Sequence, residues 1–238
     1  MVKVLELFSG TGSVGKCCKE LGWDVVSVDL LLPADHEVDI MDFDYKQYPK
    51  DEFDIIWASP PCTEYSNLQS CWLGRKKKDG IIYTKEIMDK NMNEADKLVL
   101  KAFEIIDYFN IHYWFLENPE TGKLKHRDIM KDKPFYNVSY CMYCDWGYEK
   151  RTRIWTNKKD WDNKICDKSG ACGNMMNSHH NKVCDGGYDK RRKHKINVSK
   201  EVHTVGEKKG KINYNNNGTN KLDRYRIPED LIYSLFLD

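Results

Sequence analysis

Residues 2–15 read VKVLELFSGTGSVG. The apolar run Val2 to Phe8 breaks at a Ser-Gly-Thr-Gly turn, and residues 13–21 then read as a helix. A short buried strand, a glycine turn and a helix form the opening unit of an α/β sheet. Two more β-branched runs follow, Asp24 to Asp29 (DVVSVD) and Asp54 to Ala58 (DIIWA), each bounded by turn residues. After Thr84 a long helix is predicted, because Met88, Met92, Ala95, Val99, Ala102, Ile106 and Phe109 recur at steps of three and four. Tyr113 to Leu116 reads as a further strand ending at Glu117-Asn118-Pro119, and Arg151 and Arg153 alternate on another. Strands alternating with helices predict an α/β fold.

The composition is consistent with that frame. A chain of 238 residues, 40% hydrophobic and with 7 Trp, 14 Tyr and 8 Phe, is expected to bury one catalytic-size core with at most a small appendage. No run of 18 apolar residues occurs, so no membrane span is expected, and MVKVLELFSG does not read as a secretory signal. Nine cysteines, an odd number scattered through a chain of this size, suit a reducing compartment. The net charge of +1 conceals segregation: residues 150–213 hold 17 Lys and Arg against 7 Asp and Glu, and the rest holds 21 against 30. Such a basic quarter is either a polyanion-facing surface or a solvated one, and charge alone does not choose.

Beyond Asn157 the pattern changes. Residues 158–222 are rich in Lys, Asn, Gly, Cys and His with little periodicity, and Lys211 to Lys221 (KINYNNNGTNK) reads as a mobile loop. Arg224 to Leu237 recovers order, with Pro228 suited to a first helical turn and Ile232, Leu235 and Phe236 forming an apolar stripe. The expected division is therefore 1–157, 158–222, and a C-terminal helix over 223–238 packing back on the first part.

Four places carry chemistry. Phe8 to Ser13 bridges a strand and a helix, where glycine lets the backbone approach a ligand, and Asp29 at the next strand end is placed to accept hydrogen bonds from a ribose. A plain structural turn accounts for these two features equally well. Cys62 follows Ser59-Pro60-Pro61 directly beyond a strand, at the rim where α/β sheets bind ligands, and two prolines fix the backbone before it. It reads as a nucleophile, the alternative being a small buried thiol. Glu117 is a rim carboxylate able to act as acid or hydrogen-bond partner, or else a turn carboxylate. Arg151 and Arg153 point two rigid donors to one surface.

These segments together resemble the cytosine-C5 DNA methyltransferase family, of the small phage or large-virus type. LELFSGTGSVG, SPPCTEYS, ENPETG and KRTRIW appear in the family's order over residues 4–157, and YRIPEDLI is similar to the ends of short members. Pro-Pro-Cys discriminates, since amino-group methyltransferases carry an aromatic residue at the position of Cys62. The resemblance implies a Rossmann-like S-adenosylmethionine-dependent methyltransferase fold with a small, irregular basic target-recognition segment. It implies S-adenosylmethionine held by Phe8, Gly10, Thr11, Gly12, Asp29 and Pro61, with Asp39 and Ile40 at the adenine. It further implies that Cys62 adds to C6 of a flipped-out cytosine, Glu117 bonds N3 and the exocyclic amine, Arg153 reaches O2 and Arg151 supports the nucleophile loop. The Lys-rich loop over residues 74–80 would close over the substrate. Double-stranded DNA is the implied partner, with monomeric action in the cytoplasm of a bacterial or infected host cell. Thr63 stands where the family usually has Gln, and Pro119 where Val is more frequent. A catalytically idle DNA-binding protein of the same fold and an RNA cytosine-C5 methyltransferase are the alternatives.

Cysteine and histidine in the basic segment suggest a metal. Cys166 and Cys172 with a later ligand, among His179, His180 and Cys184, could hold tetrahedral zinc; the alternative is buried thiols at Cys141 and Cys144 and surface residues at the rest. Asp189 to Lys195 (DKRRKHK) reads as a phosphate-contacting run or a solvated loop.

Overall fold

Strands β1 (Lys3–Leu7), β2 (Asp24–Asp29), β3 (His36–Glu37), β4 (Ile55–Ala58), β5 (Tyr113–Pro119), β6 (Phe135–Ser139) and β7 (Arg151–Thr156) form one sheet in the order β3-β2-β1-β4-β5-β7-β6. The computed structural model describes residues 1–76, 80–175, 193–196 and 222–237. β1 to β5 run parallel and β7 pairs antiparallel with β5. This is the α/β sheet that the alternation of elements predicts, in the Rossmann-like arrangement that the family resemblance implies. Every residue of β4 and all but the first of β1 are buried, as strands covered on both faces must be.

The chain divides into two compact units, Met1–Tyr136 with Thr152–Trp161, and Asn137–Arg151 with Asp162–Asp238. In the first, helix α1 (Ser13–Glu20) follows β1, and helix α2 (Lys85–Tyr108) supplies the predicted face. Met88, Met92, Ala95, Val99, Ala102, Ile106 and Phe109 all join a continuous core with Leu5, Leu7, Ile56 and Leu116. Thr84 caps α2, its Oγ1 accepting from the Ile87 amide at 3.3 Å.

Three elements depart from expectation. β5 runs on through Glu117-Asn118-Pro119, because β7 pairs along it (Glu117↔Ile154, Pro119↔Thr152), so Glu117 lies within the strand and not past it. β3 has only His36 and Glu37, too short and polar to signal itself, and is aligned by Val28↔His36. β6, FYNVS, has an exposed start and only Val138 and Ser139 buried, which blurs its alternation.

The second unit also buries apolar side chains. Among its described residues, Val138, Tyr140, Tyr148 and one side of helix α3 (Glu229–Leu237) are buried. Leu231, Ile232 and Leu235 form the buried stripe with Phe236 only half-buried, and the Ile232 amide donates to the Pro228 carbonyl at 3.2 Å. Residues 197–221, including the segment read as a mobile loop, lie outside the described residues. No helix among the described residues is long and apolar enough to cross a membrane.

Candidate active site

Strand register builds the site. Leu7 aligns with Val28 and with Ala58, and Ala58 aligns with Leu116. The next residue on each strand is therefore Phe8, Asp29, Ser59 and Glu117, a row level with the carboxyl ends of β1, β2 and β4, while β5 runs two residues further. The strand order reverses between β1 and β4, and ligands of open α/β sheets bind at such a switch point.

The turn after β1 is held in unusual backbone geometry. Phe8, Gly10 and Gly12 all have positive φ (56°, 56° and 68°), and for Phe8 this costs about 1–3 kcal/mol. The Asp29 carboxylate organises the turn: Oδ2 accepts from the Gly10 amide at 2.8 Å, and Oδ1 from the amides of Leu31 and Leu32 at 2.8 and 2.9 Å. A carboxylate has about four acceptor positions, so one remains for a ligand hydroxyl. Thr11 is exposed, its Oγ1 at 3.2 Å from Ser13 Oγ. Asp39 turns its carboxylate to the Met41 amide at 2.9 Å, and Ile40 is buried in the core.

Glu6, which sequence reasoning missed, sits beneath this turn. It is 2% exposed and accepts from the Gly15 and Val14 amides at 2.9 and 3.3 Å, at the positive end of α1. Burial pushes its carboxyl up to about 7, partly offset by those two amides. The signal was present in Gly10-x-Gly12-x-x-Gly15: a Cβ on Gly15 would lie 2.8 Å from Glu6 Oε2, so the third glycine makes room for the carboxylate. Glu6, Ser9, Gly12, Gly15, Val25 and Ser27 help line an open cleft of about 490 Å³, which of the expected cofactor residues takes in only Gly12.

The loop that carries Cys62 is anchored at both ends. Its Ser59 amide donates to the Leu7 carbonyl at 3.1 Å. Asn118, fully buried, donates from Nδ2 to the Pro60 carbonyl at 2.9 Å, so the residue beside Glu117 holds the backbone two positions before Cys62. Pro61 is exposed and Cys62 half-buried. Past the cysteine, the Tyr65 carbonyl accepts from the Lys123 amide at 2.8 Å, and Tyr65 Oη donates to Asp96 at 2.9 Å. Arg127 grips the same carboxylate through Nε and a terminal nitrogen at 2.9 and 2.6 Å. These supports went unforeseen, because Asp96 and Arg127 lie 31 residues apart with no local pattern linking them.

Glu117 is 6% exposed. Arg153 lies opposite Asn118 on β7, its guanidinium stacked 3.6 Å from the centre of the Phe135 ring, and burial lowers its pKa. Arg151 opens β7, is exposed and falls in the second unit. In the loop after Cys62, Gly74 and Arg75 pair with Tyr83, and Lys76 with Ile82, forming a small hairpin whose residues 77–79 lie outside the described residues.

The rim residues also suit a nucleoside-bearing cofactor. Ser9 Oγ is buried with no hydrogen-bond partner among the described residues, and a Cβ on Gly12 would meet nothing within 4 Å. An unsatisfied hydroxyl beside open backbone and a carboxylate at a helix start suits a ligand with polar groups along its length.

No family model matches the chain. A curated relative, named as a probable DNA (cytosine-5)-methyltransferase of Frog virus 3 (isolate Goorha), is 40% identical over 176 residues, covering 73% of this chain and 79% of the relative. The chain belongs to the DNA (cytosine-5)-methyltransferase family. Solved methyltransferase structures are also similar. The Entamoeba histolytica methyltransferase EhMeth is 17% identical with a TM-score of 0.47, over 70% of this chain and 56% of that one. The S. pombe Dnmt2 methyltransferase is 14% identical with a TM-score of 0.43, over 69% and 53%. The chain thus spans about half the length of these solved methyltransferases.

The Cys and His residues read as zinc ligands divide. Cys166 and Cys172 come together in the second unit, but with Cys141 and His194. His179 and Cys184 lie outside the described residues. Residues 189–192 of the basic run also lie outside them, whereas the His194 side chain, read from sequence as part of that run, is 7% exposed and turned inward.

Proposed function

We propose that this chain transfers a methyl group from S-adenosylmethionine to C5 of a flipped-out cytosine in double-stranded DNA, through a covalent adduct at Cys62. The observation that carries the reading is the Asn118 bond to the Pro60 carbonyl, which ties the Cys62 loop to the strand bearing Glu117. In this reading Phe8, Gly10, Thr11, Gly12, Asp29 and Pro61 hold the cofactor, with Asp39 and Ile40 toward its adenine. Residues 1–157 form the catalytic part and 158–222 the target-recognition segment.

The chemistry follows from the reactivity of the ring. C5 of cytosine is a poor nucleophile until the Cys62 thiolate adds to C6 and leaves an enamine-like carbon. Glu117 faces N3 and the exocyclic amine and offsets the charge that addition creates, while Arg153 reaches O2 and Arg151 braces the nucleophile loop. The cofactor supplies an electrophilic methyl group. Loss of the C5 proton to a base then expels the Cys62 sulfur and restores aromaticity. Stacked in a duplex, the cytosine is out of reach of Cys62, so the base must leave the helix. The chain acts as a monomer in the cytoplasm in this reading.

The test is methyl transfer from labelled S-adenosylmethionine to mixed-sequence duplex DNA, with RNA in competition. Label on cytosine C5 that falls more than about a thousandfold in Cys62→Ala supports the proposal. Label on RNA in preference to DNA would replace the substrate, and cofactor binding without transfer to either would leave an idle binding protein.

A further inference from the structure

We propose that Cys141, Cys166, Cys172 and His194 bind one zinc ion that holds the second unit together. Each offers one donor atom, and the four atoms lie within 4.8 Å of one another. His194 Nε2 is 3.6 Å from Cys166 Sγ and 3.7 Å from Cys172 Sγ. In a tetrahedron with Zn–S of about 2.3 Å and Zn–N of about 2.0–2.1 Å, sulfur and nitrogen ligands stand about 3.5–3.6 Å apart. His194 Nε2 already stands close to that spacing from the Cys166 and Cys172 sulfurs. Three thiolates and an imidazole in such an arrangement select zinc over harder cations.

The surroundings match what a metal ligand needs. The other ring nitrogen of His194, Nδ1, faces the Glu149 carboxylate at 3.9 Å, so Nε2 is the atom turned to the sulfurs. Lys168, at φ 63°, turns its amide to Cys166 Sγ at 3.4 Å, an N–H···S bond that favours a thiolate there. The backbones carrying the donors converge on Asn174, which is 2% exposed. Its Nδ2 lies 2.9, 2.8 and 2.9 Å from the carbonyls of Cys141, Cys144 and Cys172, and its own carbonyl accepts from the Lys195 amide at 2.9 Å, next to His194. Donors up to 53 residues apart in the chain are thereby brought to one point. A metal cross-link there does what a hydrophobic core does elsewhere.

The experiment is metal analysis of the full chain purified without chelator, followed by cobalt exchange and X-ray absorption. The expected result is about one zinc per chain, a shell of three sulfurs and one nitrogen, and cobalt spectra of a tetrahedral thiolate site. Cys172→Ser and His194→Ala should retain at least fivefold less metal after dialysis against a competing chelator, whereas Cys144→Ser, Cys71→Ser and Cys184→Ser should retain all of it. Substoichiometric metal in the native chain that zinc does not restore would overturn the proposal, without recourse to any variant. So would loss of metal in Cys184→Ser with retention in His194→Ala, or a disulfide among the three cysteines.

Discussion

The two compact units are stabilised in different ways. In the first, apolar side chains from the sheet and α2 close around one another, and polar bonds such as Asn118 to Pro60 or Tyr65 to Asp96 only aim the loops at its rim. In the second, among the described residues, buried apolar side chains such as Tyr140, Tyr148 and Leu231 are joined by Asn174, whose amide nitrogen lies against three backbone carbonyls, and by the zinc site proposed above. The first unit carries Phe8, Asp29, Cys62 and Glu117, and the second carries Arg151 and most of the basic stretch read from the sequence.

Substitutions can separate the two regimes. The largest effect after loss of the nucleophile is expected from Asn118→Ala. Freeing the Pro60 carbonyl should lower kcat about 10- to 100-fold through misplacement of Cys62, with cofactor binding unchanged in equilibrium titration. Asp96→Ala takes the carboxylate from Arg127, leaving it the bond to Asn93, and removes the acceptor of Tyr65 Oη, and should cost about 2–3 kcal/mol in denaturant unfolding of the first unit. Asn174→Ala should cost about 1–3 kcal/mol, read by hydrogen exchange that rises over 137–151 and 162–175 but not over β1 and β4. An equal rise in both units would erase the distinction drawn here.

Glu6 acts through pH. Its native pKa of about 7 lies above the ordinary value of 4.5, so the folded state binds the proton more tightly. Stability relative to Glu6→Gln should therefore fall as pH rises from about 4.5 to about 7, and level off above that. Parallel stability curves for the two proteins would show that the carboxyl titrates normally.

Much of the first unit was legible in the sequence, and little of the second. β2 appears at its predicted bounds because DVVSVD is flanked by turn residues, and the α2 face because its apolar spacing persists over six turns. Phe8, Asp29 and Glu117 were singled out because each ends or directly follows an apolar run, and Cys62 because it lies in the loop after one. Asn118 was quoted without a role, because its bond to Pro60 spans 58 residues. His194 was misread for a related reason. Lys193 and Lys195 on either side made it look solvent-facing, and only the bridge between Met175 and His194 turns the ring inward. Metal sites made of residues distant in sequence leave no spacing to read.

The account turns on whether Cys62 forms a bond to cytosine. The direct measurement is denaturing mass analysis of the chain incubated with S-adenosylmethionine and a duplex containing 5-fluorocytosine, in which fluorine replaces the proton that must leave before the sulfur can. The expected result is a stable species with the mass of protein plus methylated DNA strand, its cross-link mapping to Cys62 and absent in Cys62→Ala. Methyl transfer to C5 of ordinary cytosine without any trapped adduct on the fluorinated duplex, or an adduct at another residue, would contradict it.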